Sequence, residues 1–254
     1  MSAHPSSANP WLPYRKPRPA AEVRLFCFPY AGGAASIFRT WGDALPPEIE
    51  VVPVQPPGRE GRIRERPATS MAELVAAMDA GFGAELDTGR FAFFGHSLGA
   101  TAAFELARRR RDAGRSEPRH LFASAHLAPP APWLDEPIHD MPNPRFRERL
   151  RELNGTPHEV LDHPELMELV EPLLRADFQV NETYAYLPGE PLGCAVTAIG
   201  GLADDDVPRE QLERWREITR GPFKIRMLPG DHFFLHQESR RELLELIARD
   251  LVID

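Results

Sequence analysis

The chain has 254 residues, a length that suits one α/β domain or a domain with an inserted subdomain. Its composition, 42% hydrophobic and 27% charged, is that of an ordinary soluble globular protein with a large core. The formal net charge of −8 argues against binding to nucleic acids or to anionic lipid surfaces. No apolar stretch is long enough for a signal peptide or a membrane span, so we expect a cytoplasmic protein. The two cysteines, Cys27 and Cys194, lie in apolar runs and are predicted to be buried free thiols.

Residues 1–22 form a proline-rich leader, after which strand and helix patterns alternate. Apolar runs predict strands at 23–28, 50–54, 91–94, 120–125, 195–199 and 223–228. Between and after these runs, helical spacing predicts helices at 71–86, from 98 onward and at about 238–251. This alternation predicts an α/β fold with a mostly parallel sheet and helices on both faces, in a domain of residues 23–254.

The segment Arg90–Ala100 contains the pattern G-x-S-x-G between an apolar strand and a helix that starts at once. This arrangement is typical of the nucleophile elbow of an α/β-hydrolase, in which a serine lies at a sharp turn above the sheet. Gly95 and Gly99 flank the serine because a side chain at either position would press on the adjoining strand or helix. Ser97 is therefore the predicted nucleophile of an α/β-hydrolase fold.

Between about residues 130 and 188 the strand pattern stops. Three short helices are predicted there, at 144–150, 164–170 and 172–186, the last two separated at Pro172. An insertion between the central strands and the last two strands is where α/β-hydrolases place a lid. We therefore predict a helical lid at about 130–188.

A serine hydroxyl needs a general base, and in this fold the acid and the histidine follow the serine in the chain. Of the nine histidines, only His232 and His236 come after the last predicted strand. We predict His232 as the base because it lies in the turn directly after that strand. His236 is expected to begin the terminal helix instead.

The loop after the fifth predicted strand offers three candidate acids, Asp204, Asp205 and Asp206. Hydrolases often carry the pattern G-x-x-D-x-x-V here, which runs from Gly201 to Val207 and selects Asp204. The other two aspartates are expected to face solvent, and they stay open as alternatives.

An oxyanion hole needs two backbone N–H groups that point at the developing negative charge. Leu98, the residue after the nucleophile, is predicted to supply one of them. The loop Phe28–Gly33 is predicted to supply the other at Ala31, because its two glycines allow the backbone to approach a substrate closely. Such a site needs no metal and no cofactor, so none is expected.

Motifs along nearly the whole chain are shared with one known family. They comprise Trp11 with Pro17–Pro19, then Arg24–Gly33, Phe38–Trp41, Gln55–Glu60, Gly95–Ala100, Phe104–Ala107, Leu174–Phe178, Glu182–Tyr184 and Gly230–Phe234. In these segments the chain resembles the type II thioesterases of polyketide and nonribosomal peptide synthetases, which are related to the medium-chain fatty acyl thioesterases. It departs from the family pattern at Leu98, where methionine is usual, and at Asp231, where glycine is commoner.

The resemblance implies a thioesterase that hydrolyses acyl groups from the phosphopantetheine arm of acyl or peptidyl carrier proteins. Such enzymes remove misprimed or stalled units during antibiotic biosynthesis. The lid would then set the acyl size, with Phe146 and Phe178 as candidate substrate contacts. We expect a monomer whose partner is the carrier protein.

Carrier proteins are typically acidic, so docking on this acidic chain would need a local basic patch. Two stretches are candidates: Arg59, Arg62, Arg64 and Arg66 form the first, and Arg108–Arg111 with Arg115 form the second. For the second stretch, a solvated helix end near the negative pole of the helix dipole is the simpler interpretation.

Three other functions are compatible with parts of the pattern. A carboxylesterase or a medium-chain fatty acyl thioesterase would use the same three side chains. A catalytically inactive hydrolase-fold binding module is the alternative from another class of protein. Such modules usually lack the serine or the histidine, and both are present here.

Overall fold

Six apolar runs of the sequence form one parallel sheet, in a computed structural model that describes residues 9–131 and 136–251. The strands are β1 (Val23–Phe28), β2 (Ile49–Pro53), β3 (Phe91–His96), β4 (His120–Ser124), β5 (Ala195–Gly201) and β6 (Phe223–Leu228). Their spatial order is β2-β1-β3-β4-β5-β6, and every neighbouring pair is parallel. The predicted parallel sheet is thereby confirmed, with strand ends within two residues of the predicted ones.

The strand order places the ends of β1 and β3 beside each other. In their register Phe28 is opposite Gly95, so the loop that follows β1 starts next to the turn that follows β3. The connection from β1 to β2 runs toward one edge of the sheet, and the later connections run toward the other. In open α/β sheets such a change of direction leaves a crevice at the carboxyl ends of the strands, where ligands bind.

Helices cover both faces of the sheet, as the sequence pattern indicated. They are α1 (Trp41–Ala44), α2 (Met71–Phe82), α3 (Leu98–Asp112), α4 (Asn143–Glu152), α5 (His158–Leu161), α6 (Pro164–Glu182), α7 (Arg209–Glu213) and α8 (Arg240–Leu251). One apolar core joins α2 and α3 to alternate strand residues such as Phe26 and Phe93, and another joins α1 and α8 to Leu25 and Phe94. Within the described residues, no helix has the length and apolar character that crossing a membrane requires.

Both cysteines are buried free thiols, as predicted. Cys27 lies inside β1, and its complete burial raises the pKa of its thiol well above the ordinary value. Cys194 directly precedes β5, where burial raises its pKa to about 12. Both side chains therefore behave as small core residues and carry no thiolate near neutral pH.

Part of the proline-rich leader packs onto the domain. Trp11 and Leu12 are buried in the core that contains α2 and α3. The Trp11 indole lies so close to Gly81 that a Cβ there would be 2.1 Å from its ring nitrogen. Arg15 donates to the buried carboxylate of Glu50 at 2.7 Å. The packed unit therefore extends to the amino-terminal side of the predicted boundary at residue 22.

The segment that the sequence predicts as a lid contains α4, α5 and α6, which share a small apolar core with Ile138 and Met141. Residues 136–182 are called the lid below. The prediction of two helices separated at Pro172 is wrong, because α6 is one helix of 19 residues that contains this proline in its interior. A proline inside a helix removes one N–H donor, a loss that packing can offset. Buried residues on both sides of the proline, Met167 and Leu174 among them, hold the helix in place.

His120 illustrates a buried titratable group on the sheet. Its ring stacks on Phe122 with centroids 4.1 Å apart, and its Nε2 is 2.8 Å from the Thr197 hydroxyl. Burial lowers the pKa of His120 from 6.5 to about 4. The folded protein therefore keeps this ring uncharged at pH values where the unfolded chain would protonate it.

This difference makes the stability of the fold depend on pH. Because the unfolded chain protonates His120 below about pH 6.5 while the native state resists protonation down to about pH 4, stability is lost as the pH falls through this window. Between about pH 7.5 and about pH 5.5, we expect the free energy of unfolding to fall by about 1.3 kcal/mol more in the wild type than in His120→Gln. Chemical denaturation of both proteins at the two pH values measures this difference, and equal losses would contradict it.

Candidate active site

Ser97 lies at a sharp turn between β3 and α3. Its backbone has φ 53° and ψ −125°, a strained conformation for a residue with a side chain. The glycines on either side are required by contact distances, since a Cβ at Gly95 would lie 2.1 Å from the Gly99 carbonyl oxygen. A Cβ on Gly99 would lie 2.3 Å from the carbonyl oxygen of Phe28. The backbone therefore has the form expected of a nucleophile elbow.

His232 and Asp204 come together although they follow different strands. His232 Nδ1 lies 2.9 Å from Asp204 Oδ2, and the aspartate side chain is only 1% exposed. A carboxylate accepts, so Nδ1 carries the hydrogen and Nε2 is left with its lone pair. Asp206 N–H donates to the second carboxylate oxygen at 3.2 Å, which orients it further. Asp205 and Asp206 themselves are exposed.

Ser97 and His232 both line one cavity of about 130 Å³ at the carboxyl ends of the strands. Ala31, the predicted donor in the loop after β1, lines the same cavity. From the lid, the apolar wall residues are Ile138, Leu150, Leu153, Leu174 and Phe178, and the polar ones are Glu136, Arg149, Thr156, Asn181 and Glu182. A substrate held here would place an apolar portion against the first group and its reacting group beside Ser97.

Of the two phenylalanines that the sequence singled out, only Phe178 borders the cavity. Phe146 is fully buried inside the lid, where its ring packs edge-on against Phe178 with centroids 6.1 Å apart. The Arg175 guanidinium covers the same ring at 4.1 Å. Phe146 thus supports the wall residue Phe178 from behind.

His96, the residue before the nucleophile, supports the backbone of His232. Its Nε2 lies 2.9 Å from the His232 carbonyl oxygen, and its Nδ1 lies 2.9 Å from the Ser124 hydroxyl. Complete burial lowers the pKa of His96 well below the ordinary value. In the neutral ring, Nε2 donates to the carbonyl and Nδ1 accepts from the hydroxyl. The sequence did not predict this role, because it depends on a contact between the end of β3 and a loop 136 residues further along the chain.

His236 does not begin the terminal helix, since α8 starts at Arg240. It lies in a 3-10 turn at Phe234–His236, and its Nε2 is 2.9 Å from the Tyr30 hydroxyl. Tyr30 belongs to the loop after β1, and burial raises its pKa to about 12, so the phenol keeps its proton. The turn that carries the two histidines is therefore tied to this loop.

The predicted basic patches are largely used for internal contacts. Arg59 and Arg62 are buried, and Arg62 stacks over the Trp11 ring at 4.2 Å. Arg110 is fully buried as well and donates to Asp87 at 2.6 Å. Neither stretch forms a basic patch as a whole, because Arg59, Arg62 and Arg110 are buried, whereas Arg64, Arg66, Arg109 and Arg115 are exposed.

Comparisons with known proteins agree with this geometry. The family model of the thioesterase domain matches residues 23–251. The gramicidin S biosynthesis protein GrsT of Aneurinibacillus migulanus is 44% identical over 246 residues, which are 97% of this chain and 95% of that protein.

Two solved structures are similar along nearly their whole length. The RedJ thioesterase from the prodiginine pathway of Streptomyces coelicolor has a TM-score of 0.83 at 40% identity, covering 99% of this chain and 97% of its own. The type II thioesterase BorB from the borrelidin biosynthetic cluster has a TM-score of 0.84 at 37% identity, covering 94% and 96%. The protein therefore belongs to the thioesterase family, and the resemblance to its type II members is confirmed.

Proposed function

We propose that this protein is a serine thioesterase that removes acyl groups from the phosphopantetheine arm of acyl or peptidyl carrier proteins. It would thereby clear misprimed or stalled units from a polyketide or nonribosomal peptide synthetase. The observation that carries the proposal is the hydrogen bond of 2.9 Å between Asp204 and His232 beside a cavity that Ser97 also lines. The similarity to GrsT and BorB, which are named for biosynthetic pathways, supports the substrate class.

In the first half of the reaction, the Ser97 hydroxyl attacks the thioester carbonyl carbon while His232 Nε2 takes its proton. The carbonyl π electrons move to oxygen, and the N–H groups of Ala31 and Leu98 stabilise this oxyanion. When the tetrahedral intermediate collapses, the C–S bond breaks. The leaving thiolate takes the proton from the His232 imidazolium, and the acyl group remains on the serine.

In the second half, a water molecule replaces the thiol. His232 takes a proton from the water as its oxygen forms a bond to the acyl carbon. The C–O bond to Ser97 then breaks, and the serine oxygen regains the proton. The products are a carboxylic acid and a carrier arm with a free thiol. Asp204 keeps the imidazole in the required tautomer throughout both halves.

The side chains of the proposed machinery can be tested one by one. We expect Ser97→Ala and His232→Ala each to lower kcat by about 10³-fold or more, because each removes a participant in bond formation. Steady-state hydrolysis of an acyl thioester measures the loss, and circular dichroism checks that both variants are folded. If either folded variant kept most of its turnover, the proposed mechanism would be wrong.

The choice of the acid has its own matched control. Asp204→Asn should lower kcat by about 10⁴-fold, as expected when an amide favours the wrong imidazole tautomer. Asp205→Asn removes the same charge from an exposed neighbour and should leave kcat within about twofold. The two kcat values decide which aspartate is the catalytic acid. A large loss in Asp205→Asn with a small loss in Asp204→Asn would assign the acid to Asp205.

The bond that is cleaved distinguishes a thioesterase from a carboxylesterase. We expect kcat/KM for an acyl group on a carrier-protein arm to exceed that of the matched oxyester, because docking of the carrier adds binding energy that a free ester lacks. Mass spectrometry of a panel of acyl-loaded carrier proteins would follow the release of each acyl unit. A strong preference for oxyesters would favour the carboxylesterase alternative, and a preference for medium-chain acyl thioesters without a carrier protein would favour the fatty acyl thioesterase.

A further inference from the structure

The lid helix α6 reaches the loop after β1 through one buried carboxylate. Asp177 is 5% exposed, and its Oδ2 accepts the Gly32 N–H at 2.7 Å. The same carboxylate accepts the Arg59 Nη2 group, with its two oxygens at 2.7 and 2.9 Å. Arg59 is itself 5% exposed, so the ion pair lies almost wholly out of solvent. Charge-assisted hydrogen bonds in such surroundings are short and direction-specific.

Arg59 and its neighbours hold the far side of the same loop. Its Nη1 donates to the Gly33 carbonyl at 3.4 Å. Its own carbonyl accepts from Gln55 Nε2 at 3.1 Å, and Gln55 Oε1 accepts the Ala35 N–H at 2.8 Å. The loop is therefore hydrogen-bonded on one side to Asp177 of the lid and on the other to the buried Arg59 and Gln55.

Two amides of the loop after β1 already have acceptors within the protein. The Gly32 N–H is taken by Asp177, and the Gly33 N–H donates to the Tyr30 carbonyl at 2.8 Å. Ala31 directly precedes these two glycines and lines the cavity, and no group of the described residues accepts its N–H. Fixing the two following peptide units therefore leaves the Ala31 amide as a donor for a ligand.

The lid also presses on the loop directly. Gly32 has φ +75°, and a Cβ there would lie 2.5 Å from Leu174 Cδ2, one helical turn before Asp177 on α6. Both the apolar contact and the carboxylate come from the same helix. A shift of α6 would therefore break the hydrogen bond to Gly32 and remove the packing that holds this backbone conformation.

We propose that Asp177, paired with Arg59, is a positioning residue that sets the Ala31 N–H for the oxyanion and makes the oxyanion hole depend on the seated lid helix. This inference depends on the proposed function only for the existence of an oxyanion at this place. Asp177 touches no reacting atom, so its contribution lies in preorganisation of the loop.

The test is the isosteric variant Asp177→Asn. The amide removes the charge of the ion pair, and in either orientation its NH₂ group faces another donor, Arg59 Nη2 or the Gly32 N–H. At least one of the three hydrogen bonds at Asp177 is therefore lost. We expect kcat to fall by at least about tenfold, short of the 10²–10³-fold cost of deleting an oxyanion donor, while KM changes by less than about threefold. Affinity for an alkyl trifluoromethyl ketone, which forms a tetrahedral adduct on the serine, should fall by a similar factor.

A second buried carboxylate on the same helix provides the matched control. Glu171 pairs with Arg147 and Arg175 within the lid and has no bond to the loop after β1 in the described structure. Glu171→Gln should therefore keep kcat within about threefold even if the lid is destabilised. Equal losses of kcat in the two variants would overturn the proposal, as would an Asp177→Asn effect confined to KM. If Asp177→Asn does not fold, Arg59→Lys takes its place, and we again expect kcat to fall while KM stays nearly unchanged.

Failure of this inference is distinguishable from failure of the proposed function. Thioesters and oxyesters form the same oxyanion, so the Asp177→Asn comparison is made on whichever ester the wild-type protein hydrolyses best. An oxyester preference with a lowered kcat in Asp177→Asn would reject the substrate class and support the positioning role. If the wild type prefers the carrier thioester and Asp177→Asn has an unchanged kcat, the substrate class is supported and the positioning role is rejected.

Discussion

The backbone of Ser97, with φ 53° and ψ −125°, is held in place by very close contacts between β1, β3 and α3. Gly99 lies against the carbonyl of Phe28, the last residue of β1, and Gly95 lies against Gly99. The contacts that strain the serine therefore also fix the point from which the loop after β1 departs. As a result, the proposed nucleophile and the loop that carries Ala31 share one packing constraint.

The pair Asp204 and His232 depends on a similarly close contact between the end of β5 and the loop after β6. A Cβ on Gly201 would lie 2.5 Å from the carbonyl oxygen of Asp231, so the loops with Asp204 and His232 can meet only because residue 201 is glycine. His96 then connects the two parts of the site, because it belongs to β3 and bonds to the His232 carbonyl. The lid completes the site from above through Asp177.

The parts of the site that could be predicted are those encoded by short local patterns. The turn at Ser97 follows from Gly95 and Gly99, and the selection of Asp204 follows from its spacing to Gly201 and Val207. The Asp177–Arg59 pair could not be predicted, because its members are 118 residues apart and charged residues are usually solvated. The course of α6 through Pro172 and the packing of Trp11 could not be predicted for a related reason, because both depend on tertiary contacts that local propensity does not report.

The state of the two cysteines has a consequence for the chemistry of the substrate. A thioester transfers its acyl group to any accessible thiolate, which forms a new C–S bond while the carrier thiol leaves. Cys27 and Cys194 are enclosed in the core with pKa values raised by burial, so neither offers a thiolate for this transfer. The protein can therefore meet one acyl thioester after another without being acylated on its own cysteines.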